Sequence, residues 1–101
     1  MERIGILATL QAKPGRENDV ETFLKSAESL AQVEPRTLRW YALRLDASHF
    51  AIFDTFADTE GREAHVAGEI AQRLFASAEE LLAEPPSIQF VDVIANKTSA
   101  W

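Results

Sequence analysis

The eight residues His49–Phe56, HFAIFDTF, constrain the fold more than any other stretch of the chain. Side chains alternate across a pleat, so Phe50, Ile52, Asp54 and Phe56 share one face, with Ala51, Phe53 and Thr55 on the other. Apolar groups on both faces mean that both faces are covered, which predicts a strand in the interior of a sheet. Asp54 stands in the middle of an aromatic and aliphatic row. A buried carboxylate without a partner is costly, so Asp54 needs either a counter-charge or a task. Arg39, Arg44 and Arg62 are the counter-charges that a structural role would use. Nine residues beyond the strand, His65 falls between Ala64 and Val66.

The rest of the chain supplies what such a strand packs against. Ile4–Gln11 reads as a first strand, again apolar on both faces, with Gly5 marking a close backbone approach. Lys13-Pro14-Gly15-Arg16 is a turn. Val20, Phe23, Leu24, Ala27, Leu30 and Ala31 then fall on one helical stripe, with acidic and polar groups in the first turn, where the helix dipole favours them. Pro35 ends that segment. Residues 38–45 predict a second strand, joined to His49–Phe56 by the short turn Asp46-Ala47-Ser48. Asp58 is placed to cap a short helix carrying His65. Gly68 interrupts it, and a further helix follows over 69–82 until Pro85-Pro86. Residues 88–95 predict the last strand, and residues 96–101 are a polar tail ending in Trp101.

The order β-α-β-β-α-β, with the second helix split, is the ferredoxin-like order. It predicts an α+β domain with a four-stranded antiparallel sheet, helices on one face, and the first and third strands side by side. The whole chain, 1–101, is expected to be one domain with its core at about 3–95. The opposite sheet face is apolar and uncovered, and such a face predicts an interface. We therefore expect a homodimer joined through the sheets, which fits a hydrophobic content of 47% in 101 residues.

Charge excludes some functions. Ten basic against 16 acidic residues, a formal net charge of -6, disfavours binding to nucleic acid or to an anionic membrane surface. The absence of cysteine removes thiolate chemistry, and two histidines without H-x-x-x-H spacing give no metal motif. No apolar run suggests a signal peptide or membrane span, so a cytoplasmic protein is expected.

Several segments in this order resemble the antibiotic biosynthesis monooxygenase (ABM) domain family of the dimeric α+β barrel superfamily. They are Lys13-Pro14-Gly15-Arg16-Glu17, Leu38-Arg39-Trp40-Tyr41, Phe50 to Asp58, and Ala64-His65-Val66-Ala67. The resemblance implies a small homodimer that oxidises an aromatic or quinol-like molecule with molecular oxygen and without metal, flavin or haem. Ala8, His65 and Phe75 stand where a haem-degrading branch has Asn, Trp and His, so haem degradation is not implied. Asp54 and Phe56 stand where the family often has Glu and Trp.

Cofactor-free oxygenation needs a deprotonated, electron-rich substrate in a dry pocket with a base and a hydrogen-bond donor. His65 fits the base, because imidazole titrates near neutrality. Asp54 would orient it or act as a second base. Trp40, Phe50 and Phe56 are the expected pocket walls. The alternative is a non-catalytic ligand-binding or structural protein of the same fold, with His65 an ordinary helix residue.

Overall fold

The structure is a computed structural model that describes residues 1–99; Trp101, the expected end of the polar tail, lies outside the described residues. Its elements are β1 (Ile4–Gln11), α1 (Glu17–Gln32), β2 (Thr37–Arg44), β3 (His49–Phe56), α2 (Thr59–Val66), α3 (Glu69–Leu81) and β4 (Ser87–Asp92). The sheet has the order β2-β3-β1-β4, and every neighbouring pair is antiparallel. This is the ferredoxin-like arrangement expected from the sequence.

β3 lies between β2 and β1, as its two-sided apolar pattern requires. Its row Phe50, Ile52, Asp54 and Phe56 faces the helices and is buried throughout. Phe50 and Ile52 join Ala8, Leu10, Val20, Leu24, Leu74 and Leu82 in the main core. Gly15 carries the turn before α1 with φ of 86°, a left-handed conformation that favours glycine. The Asp46 side chain organises the β2–β3 turn, where its Oδ1 accepts from the backbone N–H groups of Ser48 and His49 at 3.0 and 2.9 Å.

Two strands differ from their expected bounds. β2 starts at Thr37 rather than 38, with an irregularity between Thr37 and Arg39 that leaves Leu38 outside the regular pairing. β4 ends at Asp92 rather than 95, because β1 begins at Ile4, directly opposite Asp92. Beyond that pair one more bond forms, from the Val93 N–H to the Arg3 carbonyl at 2.8 Å, and the ladder has no more partners.

The sheet face away from the helices carries Leu7, Phe53 and Tyr41 in one cross-strand row, with Leu43 and Val91 nearby. Tyr41 and Leu43 are exposed. One end of this face is polar: Glu2 accepts from Arg39, Thr55 and Asn96, and Arg39 donates to Thr98. No helix among the described residues is long and apolar enough to cross a membrane.

Gly5 lies opposite Thr55 in the β1–β3 pairing. A Cβ built there would lie 2.5 Å from the Asp54 carbonyl oxygen, which is backbone and cannot swing aside. Gly5→Ala is therefore expected to cost about 2 kcal/mol through forced overpacking. Denaturant unfolding would measure this, and a midpoint unchanged from wild type would contradict it.

Candidate functional site

The Asp58 carboxylate caps α2, accepting the Gly61 N–H at 2.8 Å. That cap sets the register of the helix. Gly61 and His65, four residues apart, both turn toward the sheet and are its buried residues. The His65 ring lies against the Phe56 ring, centroids 5.4 Å apart and tilted by 42°. His65 is thus a buried residue of the helix–sheet interface, not an exposed helix residue.

Both ring nitrogens of His65 face carboxylates. Nε2 is 3.0 Å from Asp54 Oδ2, and Nδ1 is 2.7 Å from Glu34 Oε1. Neutral imidazole has one N–H, so only the doubly protonated ring can donate to both. Burial is the largest single influence on this histidine and pushes its pKa down. The contacts with Asp54 and Glu34 together outweigh it, and the net pKa is raised above the ordinary 6.5. The arrangement is a cation held between two anions inside the protein.

Glu34 lies in the connection between α1 and β2 and is itself fixed. Its Oε1 also accepts from the Thr37 hydroxyl at 2.8 Å. Nothing in the spacing of the chain links Glu34 to a histidine 31 positions away, and the sequence reading missed it. The arginines offered as counter-charges for Asp54 are engaged elsewhere. Arg39 pairs with Glu2, Arg44 with Glu21, and the Arg62 guanidinium stacks over the Phe90 ring at 4.2 Å.

Asp54 is 1% exposed. Its cross-strand neighbours are Ile6 on β1 and Trp40 on β2. With Oδ2 turned to His65, the other oxygen, Oδ1, is buried and has no hydrogen-bond partner among the described residues. A carboxylate oxygen left dry and unpaired is costly in a folded protein.

A cavity of about 100 Å³ between sheet and helices brings Asp54 and His65 together. Its other walls are apolar and include Ile6, Ile52, Ile70, Leu74, Phe75 and Phe90. Phe75 and Phe90 are largely exposed, so the cavity opens to the surface between α3 and β4. Of the aromatic walls expected from the sequence, none borders this space. Phe50 and Phe56 are fully buried core residues. Trp40 instead borders a larger cleft of about 550 Å³ between α1 and β2. A third depression, of about 310 Å³, reaches the opposite side of the cluster, where it touches His65 and Glu34. Among the described residues no side chains are grouped to hold a metal ion. Asp54 and Glu34 address opposite nitrogens of one ring and so do not converge on a common point.

This architecture occurs in known proteins. A protein of unknown function from Nitrosomonas europaea is 44% identical, with a TM-score of 0.95, over 100% of this chain and 98% of that one. A protein from Caulobacter crescentus classed as a candidate antibiotic biosynthesis monooxygenase has a TM-score of 0.77 at 21% identity, covering 93% of this chain and 92% of that one. An antibiotic biosynthesis monooxygenase structure also gives 0.77, at 18% identity over 91% and 99% of the two chains. The chain belongs to the family of the Nitrosomonas protein and has the ABM fold. No family model matches the chain, and no curated protein does. The resemblance drawn from the segments between Lys13 and Ala67 thus holds for the fold. In this ABM-fold chain the Asp54–His65–Glu34 cluster sits at the junction of β3, α2 and the α1–β2 connection.

Proposed function

We propose that this ABM-fold protein is a cofactor-independent monooxygenase for an electron-rich phenol or quinol, and that Asp54 rather than His65 is its base. The observation that carries this reading is Asp54 on the wall of an apolar cavity, a buried carboxylate with one oxygen unpartnered among the described residues. His65 has no free nitrogen with which to take a proton, since Glu34 and Asp54 occupy both. It serves better as a fixed cation that holds Asp54 in place.

In this reading a substrate hydroxyl gives its proton to Asp54 Oδ1. The dry surroundings then leave the aromatic anion unsolvated and more reactive. One electron passes to oxygen, the two radicals combine, and the O–O bond breaks. One oxygen atom enters the ring and the other leaves as water. For a simple phenol the balance is phenol plus O2 giving benzoquinone plus water. The proton held by Asp54 returns to the departing oxygen and completes that water, so the His65 cation and its two carboxylates end as they began. The test is oxygen uptake with a panel of substituted phenols and hydroquinones. Uptake that depends on the protein is expected for at least one member, and none on any member would favour a binding protein instead.

The reading includes a homodimer. Leu7, Phe53, Tyr41, Leu43 and Val91 make a continuous apolar strip on the uncovered sheet face. Exposed apolar strips of this kind mark interfaces. Light scattering at micromolar concentration is expected to give twice the chain mass of 11.2 kDa. A monomer mass would overturn this part.

A further inference from the structure

We infer that Trp40 is the positioning residue of Asp54: one buried water joins its indole N–H to Asp54 Oδ1. The link itself stands on the packing of β2 against β3. Its part in turnover rests on the reading just given.

The strand register puts the two residues together. Trp40 and Asp54 are directly paired across β2 and β3. Paired side chains stand on the same face of a sheet, with Cβ atoms about 5 Å apart. Here it is the face that the helices cover, where Ile52, Asp54 and Phe56 are buried. The Trp40 ring packs against both groups of core residues, the one with Ile52 and Leu74 and the one with Ala27, Ala31 and Ile70. Its nitrogen is buried even though the residue also borders the α1–β2 cleft.

Chemistry makes the pair complementary. Among the described residues, two buried side-chain polar atoms lack a hydrogen-bond partner, and they are Trp40 Nε1 and Asp54 Oδ1. Indole nitrogen only donates, and an ionised carboxylate oxygen only accepts. The missing donor and the missing acceptor thus belong to a single cross-strand pair. Each left alone would carry the full desolvation penalty of its group. They do not bond to each other directly. Buried waters join polar groups of this kind, and one water satisfies both atoms at once.

The neighbouring groups are engaged. Asp54 Oδ2 faces His65 Nε2 at 3.0 Å. Glu34, which also borders the α1–β2 cleft, gives its Oε1 to Thr37 and to His65. With the water in place, Asp54 has a donor on each oxygen, imidazolium on one side and the Trp40 link on the other. A carboxylate held at both oxygens keeps one orientation toward the cavity it borders.

The test starts from the wild-type protein. The chain has two tryptophans and so two indole N–H signals, and Trp40→Phe identifies the Trp40 signal by its loss. In wild type that signal should show a through-space magnetic contact with a long-lived water. Asp54→Asn should remove the contact, because an amide whose oxygen stays on His65 presents an N–H where Oδ1 was. Glu34→Gln should leave it. Absence of the contact in wild type, or its persistence in Asp54→Asn, would overturn the link. In oxygen uptake, Trp40→Phe should lower kcat about tenfold or more, the scale of one hydrogen bond to a charged group. KM should stay within about twofold, because the lost group acts through Asp54 and not on the substrate. A kcat within about twofold of wild type would overturn the positioning role. A wild type that shows the water contact but takes up no oxygen with any phenol or hydroquinone would uphold the link and overturn only the oxidative reading. Oxygen uptake without the contact would do the reverse.

Discussion

Asp54→Asn is expected to lower oxygen uptake on a phenolic or quinol substrate by about 100-fold or more, the usual scale of a lost general base. The substitution keeps the shape of the side chain. The amide oxygen can still accept from His65 Nε2, as Asp54 Oδ2 does at 3.0 Å. What changes is the Oδ1 position, where an acceptor able to take a proton becomes an N–H donor. The loss should therefore fall on kcat rather than on KM. Circular dichroism should confirm that the variant is folded. Uptake within about threefold of wild type would remove Asp54 from the base role, since even modest general-base contributions exceed that factor.

The second large effect concerns stability and pH. His65 is a buried cation between Asp54 and Glu34, the two charged groups in contact with it. Its pKa is raised in the folded protein above the ordinary 6.5. The folded state therefore holds this proton more tightly than the unfolded state does. Its stabilising contribution is complete below pH 6.5 and is lost as pH rises through the folded-state pKa. Thermal melts of the wild type should show Tm falling over that range. His65→Ala should lose this slope. It should also be less stable at pH 6 by about 3 kcal/mol, because the buried Asp54 and the partly buried Glu34 are left without their cation. For a chain of this size that is a drop of roughly 12 °C or more. A wild-type Tm that rose from pH 6.5 to 8, or a variant with the same slope, would contradict this assignment.

The sequence reading reached the fold because each strand and helix has a local signature. β1 and β3 have the expected bounds, and both are in the middle of the sheet, where the apolar pattern is densest. β2 and β4 differ at their ends because partner strands decide where an edge strand stops. The candidate pair Asp54 and His65 was legible for a similar reason: each is a polar group on a row that burial would otherwise make apolar.

Their geometry was not legible. Alternation places Arg39 on the opposite face from Asp54, yet it cannot show that Arg44 turns to Glu21 or that Arg62 stacks on Phe90. Glu34 reaches His65 only through the path of the α1–β2 connection. The expected wall residues Trp40, Phe50 and Phe56 lie away from the Asp54–His65 cavity for a packing reason. Phe50 and Phe56 share the face of Asp54, but core packing buries them completely. The open space lies instead over β1 and β4, where Ile6, Ile88 and Phe90 face it.

The helix that carries His65 is only eight residues long and ends just before Gly68. A helix of that length does not hold together alone in water. Its anchors are the Asp58 cap, the Phe56 contact and the two carboxylates on His65. The same contacts that shape the site therefore keep α2 folded onto the sheet, and the two form one local unfolding unit. Val66, the last residue of the same helix, forms part of the cavity's wall. The wall of the pocket and the seat of the helix thus depend on one set of contacts, those that His65 makes.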